Sequence, residues 1–570
     1  MSETESTDAC GGSGERMLPS KMVRINFPRE AHARRTHLAA LPIFVIAMLL
    51  LALISSSAGA ADVFLEQNPD STLAIAIQKI EGTPITLEDA LQKALVQETS
   101  VREADASMRA ARGTLRHESG AFDPELFFDA SRTGIDQPSA SPFSGGDTLA
   151  SGVSVVRTTQ TTTTTGARVT LPTGTELSAS LLATRRESNS TFSLLNPEYD
   201  ANGVLSVRQP LLKGFGPGTW GDRSAAARAY EAARARYEDA VLETRARVER
   251  TYWDLYAARR DLALQQIIRD RAKSLLDESQ LRARAGLVGP GAVASARVFY
   301  TQQEQALLDF DEALDRVSDQ LGTFIGERPA GSLKRFTPLD EPPRELPVEP
   351  ENVLVARALA QSRELKSAER EMAAARARSA SAWWNKLPTL DVRGSLGGAG
   401  LSGTGKNFIN PFTGLPDRID LNGGFGDTWS QVRRRDFPNW SAGLSLSVPI
   451  GFRAGAGDLD RLRAELDITE QRAVATRRSI EERVRMAYRE LDHAKRRLDA
   501  AQSGVEASLE QVRIGIIEYR NGRTTAFELT RVAADLATAQ QRFSQALVRA
   551  AKAYADLRRL TSEGLPPPKP

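Results

Sequence analysis

The side chains that most often carry chemistry are sparse in this 570-residue chain. There is one cysteine, Cys10, and there are four histidines, His32, His37, His117 and His493. A single thiol can neither close an intramolecular disulfide nor build a thiolate zinc site, and the histidines are too scattered to propose a metal cluster. No Ser/His/Asp constellation, phosphate loop or paired-carboxylate cleft stands out, so an enzyme is the weakest reading and no cofactor is expected. Lys+Arg 74 against Asp+Glu 72 leaves a formal charge of +2, too even for a protein that grips phosphate backbones. With catalysis, metals and nucleic acid set aside, the informative features are the elements themselves.

The first element is a segment to be removed. An uncharged run, LAALPIFVIAMLLLALI, follows Arg24, Arg29, Arg34 and Arg35 and precedes the small residues Ser55 to Ala61. This is the pattern of a secretory signal with an A-x-A-like site at Ala58-Gly59-Ala60. Removal of residues 1–60 takes Cys10 with it. No later apolar run reaches spanning length, so a membrane-embedded product must be a barrel.

The second feature is duplication. Residues 93–112 align without a gap on residues 357–376, pairing Ala94 with Ala358, Leu95 with Leu359 and Arg112 with Arg376. Further along, Val248, Tyr252 and Leu255 pair with Val484, Tyr488 and Leu491. The unit is helix, strands, long helix, turn, helix, used twice. Its helices carry heptads: Leu529, Leu536, Phe543, Ala550 and Leu557 with Val532, Ala539, Ala546, Ala553 and Leu560 form a continuous apolar seam. The equivalent seam of the first copy is broken only by Gln303. A proline-free stretch from Thr219 to Ala285 predicts about 100 Å of helix, a rod rather than a globular core.

Between the helices, Trp440 to Val448 alternates apolar residues with serine and glycine, and Leu390 to Leu396 does so more loosely. Period two with one apolar face and no evident soluble core fits strands facing lipid, with Phe122, Phe127, Phe128, Trp383, Trp384 and Trp440 as interfacial aromatics. Four strands cannot enclose a passage, whereas three chains of four give twelve, so closure favours a trimer. The inserts Thr133 to Gly166 and Ser402 to Asp436 read as loops on the far side, and the stretch 166–185 fits either added strands or a loop.

These features resemble the outer-membrane efflux protein family, the TolC-like channels, over essentially the whole mature chain. The resemblance rests on the duplicated unit opening with Ile85-Thr86-Leu87-Glu88-Asp89-Ala90-Leu91, on Gln209-Pro210-Leu211-Leu212-Lys213-Gly214-Phe215-Gly216, and on hairpin tips at Ala285-Gly286-Leu287-Val288 and Tyr519 to Thr525. It implies a mixed α and β membrane protein: a trimeric 12-stranded outer-membrane β-barrel, four strands per protomer, continued by a periplasmic α-helical coiled-coil barrel with two structural repeats per chain. It also implies a passive exit conduit for efflux or type I secretion, fed by an inner-membrane transporter through a periplasmic adaptor (membrane fusion) protein. The tips Gly286, Leu287, Val288, Gly522, Thr524 and Thr525 are the expected adaptor contacts, and Tyr519 and Glu528 match the family's constriction. The chain departs from the family at Arg531 and Ala292, which stand where acidic residues are found in other members, so three Glu528 beside three Arg531 partly neutralise each other.

The expected organisation is then a signal peptide 1–60; a first repeat 61–326 with helix 86–119, strands within 122–212, long helix 219–285 and helix 292–325; and a Pro-rich linker 327–350. The second repeat, 351–562, has helix 351–386, strands 388–398 and 439–450, long helix 458–519 and helix 525–561, before a Pro-rich tail 563–570. The alternative from a different class is an N-terminally anchored periplasmic structural coiled-coil protein.

Overall fold

The structure is a computed structural model describing residues 69–140, 146–148, 153–329, 331, 335–409, 416–417, 420–521 and 523–562. The expected signal peptide 1–60, the tail 563–570 and tip residue Gly522 lie outside the described residues. In its first half the chain runs α1 (Pro69–Gln78), β1 (Thr83–Ile85), α2 (Leu87–Gln97), α3 (Thr99–Gly120), β2 (Glu125–Ser139), β3 (Asp147–Thr148), β4 (Ser154–Thr170), β5 (Glu176–Ser188), β6 (Leu195–Pro210), α4 (Pro217–Arg284) and α5 (Pro290–Ile325). It continues through β7 (Phe336–Pro338), α6 (Glu351–Gln361), α7 (Arg363–Asn385), β8 (Thr389–Gly405), β9 (Phe408–Ile409), β10 (Pro416–Asp417), α8 (Phe425–Arg434), β11 (Phe437–Ser447), α9 (Arg453–Arg520) and α10 (Ala526–Leu560).

The long helices α4 and α9 have 68 residues each, about 100 Å at 1.5 Å per residue. Each packs lengthwise against shorter helices, and the duplication is visible in what they bury. Ala90, Ala94, Val248, Leu255 and Leu321 are buried in the first copy, and their counterparts Leu354, Ala358, Val484, Leu491 and Leu557 in the second. Gln303, the exception in the heptad seam, accepts hydrogen bonds at its carbonyl and side-chain oxygens from the buried Gln265 amide, at 3.1 and 3.0 Å. The short helices differ from expectation: 86–119 and 351–386 are each interrupted, at Glu98 and Ser362, where the backbone turns extended. Ser362 caps the resumed helix by accepting from the Leu365 N–H at 3.2 Å.

The stretch 327–350 is not wholly irregular. Its residues Phe336 to Pro338 form β7, parallel to β1, and Arg335 is held by Asp311 at 2.7 Å and Asp315 at 2.5 Å. Tyr252 of α4 is fully buried beneath this ribbon; its hydroxyl lies 3.1 Å from the Ile85 carbonyl and 2.9 Å from the Asp340 carboxylate and accepts from the Leu339 and Asp340 N–H groups.

One sheet holds six long strands in the order β11-β8-β6-β5-β4-β2, every neighbour antiparallel, with β3 pairing β4 beside them. This corrects the expectation of four strands per protomer. Thr133 to Ser139 and Ser154 to Gly166 belong to β2 and β4 rather than to a loop, and the stretch 166–185 adds strands within the sheet. The miss has a physical cause: Thr161 to Thr165 put hydroxyls on both faces, so period-two hydropathy vanishes although threonine suits a strand. The β4–β5 turn is tied to the strand-to-helix junction. Gly174 has φ +88°, and a Cβ there would lie 2.1 Å from the Gly214 carbonyl oxygen, so only glycine fits. Gly214 and Gly216, at φ +83° and +52°, then swing the chain from β6 into α4, whose first residue is Pro217.

Candidate functional site

Pairing register assigns every strand residue to one of two faces, because side chains alternate. One face carries Leu126 and Phe128 of β2, Leu177 and Leu181 of β5, Leu205 and Val207 of β6, Val392 and Leu396 of β8, and Trp440, Leu444 and Leu446 of β11. These are large apolar side chains, and most stand in the open: Leu126 is 83% exposed, Trp440 75% and Leu444 69%. A soluble fold buries such a face.

The opposite face is polar. Arg168 makes a two-pronged bond to Glu125 at 2.6 and 2.9 Å, and Arg208 bridges Asp391 at 2.8 Å and Glu176 at 2.7 Å. Hydroxyl pairs Ser178–Ser206 and Ser395–Ser441 lie beside them at 2.6 and 2.7 Å. Phe127 departs from the expected aromatic belt. As the neighbour of Phe128 it points to the polar face, where it covers Gly166 and carries Arg168 over its ring at 5.9 Å. At the helical end of the sheet Trp383, Trp384 and Phe215 do cluster, with ring centroids 5.3 and 5.8 Å apart.

The sheet is open at β2 and β11, which pair on one side only among the described residues. β2 leaves the helices and β11 returns to them, so the two edges run in opposite directions and are complementary for antiparallel pairing between copies.

At the other end of the rods lie the tips. The α4–α5 tip closes as a Schellman motif: the Leu287 N–H donates to the Arg282 carbonyl at 2.9 Å and Gly286 adopts φ +74°. Leu287 is 74% exposed, with Val288 half-buried beside it. At the α9–α10 tip, Tyr519 sits in the last turn of α9, half-buried, with Thr524 half-buried and Thr525 exposed in the turn. Thr525 caps α10 by accepting from the Glu528 N–H at 3.2 Å. Glu528 and Arg531 meet at 2.5 Å on one exposed helix face, so each carboxylate is countered within its own chain.

A polar layer between α4 and α10 gave no sign in the sequence. Asp261 is buried against Gln545, whose amide lies 3.4 Å away, and burial raises its carboxyl to about 6 against the opposing pull of the Gln545 and Gln541 amides. Arg271 donates to the Ala533 carbonyl at 3.2 Å, and burial lowers its guanidinium from the usual value. Single charged residues on a charged helix are indistinguishable by type; only the partner helix decides which are buried.

The profile of the outer membrane efflux protein family matches residues 176–327 and 354–563, beginning at the first residue of β5. Among curated proteins none matches in sequence. Several solved structures share the fold. The Campylobacter jejuni CmeC outer membrane channel is 16% identical, with 83% of this chain and 85% of that one covered at a TM-score of 0.55. The Vibrio cholerae outer membrane protein VceC is 14% identical over 84% and 96%, TM-score 0.55. The open-state Neisseria gonorrhoeae MtrE outer membrane channel is 16% identical over 83% and 88%, TM-score 0.55. With the family profile spanning more than half of the chain, a sheet exposed on its apolar face and two 68-residue helices, the chain belongs to the outer membrane efflux protein family, whose members sit in the outer membrane and extend into the periplasm.

Proposed function

We propose that the protein is a passive exit duct of the outer membrane. It works as a homotrimer that receives its cargo from an inner-membrane transporter by way of a periplasmic adaptor, in efflux or in type I secretion. The observation that carries the reading is the two-faced sheet: an exposed apolar face suited to lipid, a polar face suited to a lumen, and two open edges of opposite direction. Three copies joined β11 to β2 form a barrel of eighteen strands, in place of the twelve that four strands per chain imply. At 4.8 Å between strands and a tilt of about 40°, the backbone radius is about 18 Å, against about 12 Å for twelve.

In this reading residues 1–60 are the signal peptide, and the duct needs no cofactor and performs no bond chemistry. The tips built by Gly286, Leu287 and Val288 and by Gly522, Thr524 and Thr525 meet the adaptor, with Leu287 as the apolar knob. Tyr519, Glu528 and Arg531 form the constriction, where the ion pair within each chain keeps the ring close to neutral.

Reconstitution into a planar bilayer tests the proposal. A heat-labile trimer from the outer-membrane fraction that conducts ions, with eighteen strands in a symmetry-averaged image, is the expected result. A soluble periplasmic monomer would sink it. Glu528→Gln should lower preference for cations, leaving Arg531 uncompensated; unchanged selectivity would remove Glu528 from the lumen.

A further inference from the structure

The two open edges of the sheet carry side chains that fit each other. The insert Ser402 to Asp436, expected as a loop, holds the top of β8, the helix α8 and a continuation of one edge. Asn422 bridges Thr404, the Gly405 N–H donates to the Leu421 carbonyl at 2.7 Å, and the Gly423 N–H donates to the Gly403 carbonyl at 3.0 Å. Residues 421–423 and β11 are thus two pieces of one edge strand, and α8 is an excursion between them. Gln431 of α8 accepts from the Leu401 N–H, which the excursion leaves bare, at 2.8 Å. The regular part of this edge is Phe437 to Ser447, eleven residues, and the opposite edge is β2, fifteen residues from Glu125 to Ser139.

Both faces select the same register. On the apolar face β11 ends with Leu444 and Leu446 and β2 begins with Leu126 and Phe128, all exposed. Antiparallel pairing can set Leu446 on the next copy's Leu126 and Leu444 on its Phe128. On the polar face the large apolar side chains of the two edges are Phe437, 57% exposed, Ile135, 55% exposed, and Phe127, over which Arg168 of the same chain already lies. The register that joins the leucines also sets Phe437 on the next copy's Ile135, and it brings the strand ends level, Ser447 against Glu125. A slip of two residues, the smallest that keeps the faces matched, puts Phe437 against Gln137 or Thr133 and breaks a leucine contact.

We infer that β11 of one copy joins β2 of the next in this register, and that Trp440 there takes the next copy's Arg132 onto its ring. Arg132 stands on the apolar face and makes no ion pair among the described residues, so alone it would hold a bare guanidinium against lipid. An exposed indole directly opposite is a partner that a cation keeps in an apolar setting. The geometry of closure agrees. One ladder row runs from Trp440 through Leu396, Leu205, Ala179 and Ala167 to Leu126 of the same chain, so meeting Arg132 advances the row by six residues per copy. At about 3.3 Å per residue, over six strands about 4.8 Å apart, this is a tilt of about 35°, which outer-membrane strands adopt. The inference rests on the outer-membrane trimer proposed above and specifies its seam.

Cysteine pairs test the register. Leu401 and Gly405 turn their N–H groups to the β11 side, so odd-numbered residues of β11 bond β8, and at the seam Ser441 is a non-hydrogen-bonded position. Opposite Cα atoms there lie about 4.5 Å apart, within disulfide reach. In a Cys10→Ser background, Ser441→Cys with Ser131→Cys should oxidise to covalent trimer in outer-membrane fractions. Its yield should be about tenfold that of Ser441→Cys with Asp129→Cys or with Thr133→Cys, one slip to either side. For the ring contact, Arg132→Gln and Trp440→Leu should each lower the heat-dissociation midpoint of the trimer by about 2 °C or more and keep wild-type conductance. The double variant should fall no further than the worse single one. Additive losses, a slipped pair that crosslinks as well as Ser441 with Ser131, or a conducting trimer that crosslinks at none of the pairs overturns the inference alone. A chain that neither trimerises nor conducts overturns the channel reading and the inference with it.

Discussion

Asp261 is a buried carboxyl whose proton is held into the ordinary pH range. Burial raises its carboxyl from 3.8 to about 6, so the folded protein takes up this proton more readily than the unfolded chain. The associated stability is complete below about pH 4 and is lost as pH rises through about 6. Asp261→Asn should therefore stabilise the trimer at pH 8 by up to about 3 kcal/mol while changing little at pH 4, so heat-dissociation midpoints at the two values should converge. Tyr252 acts in the opposite way. Its hydroxyl serves the Ile85 carbonyl, the Asp340 carboxylate and two N–H groups, and Tyr252→Phe should cost about 1–3 kcal/mol by leaving them unpaired. Denaturant titration at fixed pH reads that loss. Neither residue was legible as a site: Tyr252 matched Tyr488 in the repeat, which marks a core position without revealing what its hydroxyl binds, and Asp261 is one carboxylate among many. Glu528 and Arg531 could be flagged three residues apart on one helix, and the structure pairs them at 2.5 Å.

At the scale of elements, legibility followed hydropathic period. The heptads of α9 and α10 and the alternation of β11 were readable because a single face is buried or lipid-facing. The threonine-rich strand β4 was not, since it carries no apolar period of its own; α8 has Phe425, Trp429 and Val432 at helical spacing, but over only ten residues inside an insert rich in Gly, Asn and Asp. The breaks at Glu98 and Ser362 fall at matching positions of the two repeats, which makes them part of the duplicated design rather than frayed ends. The β4–β5 hairpin depends on one contact, the close approach of Gly174 to the Gly214 carbonyl. Gly174→Val must lift the turn off the junction, and mature trimer in the outer membrane should fall several-fold. Gly113→Ala, in α3 with nothing within 4 Å of the added methyl, is the matched control and should leave yield unchanged.

For the molecule as a whole, the family and the two-part organisation of rods and sheet were readable from the duplication, but the width of the sheet was not. That width sets how the parts join. In the proposed trimer, twelve helices spaced by about 9.5 Å close a ring of about 18 Å radius. Eighteen strands close at about the same radius, whereas twelve would pinch to about 12 Å. In that trimer the two further strands of each copy would let the mouth in the membrane match the bore of the tunnel below it. In the proposed duct the constriction of Tyr519, Glu528 and Arg531 at the tips then carries the outer membrane's barrier against solutes. Cells carrying Arg531→Glu, in which like charges push the tips apart, should admit dyes and bulky antibiotics that the wild-type envelope excludes. In the proposed duct, the width that admits cargo is the same width through which the surroundings return when the valve fails.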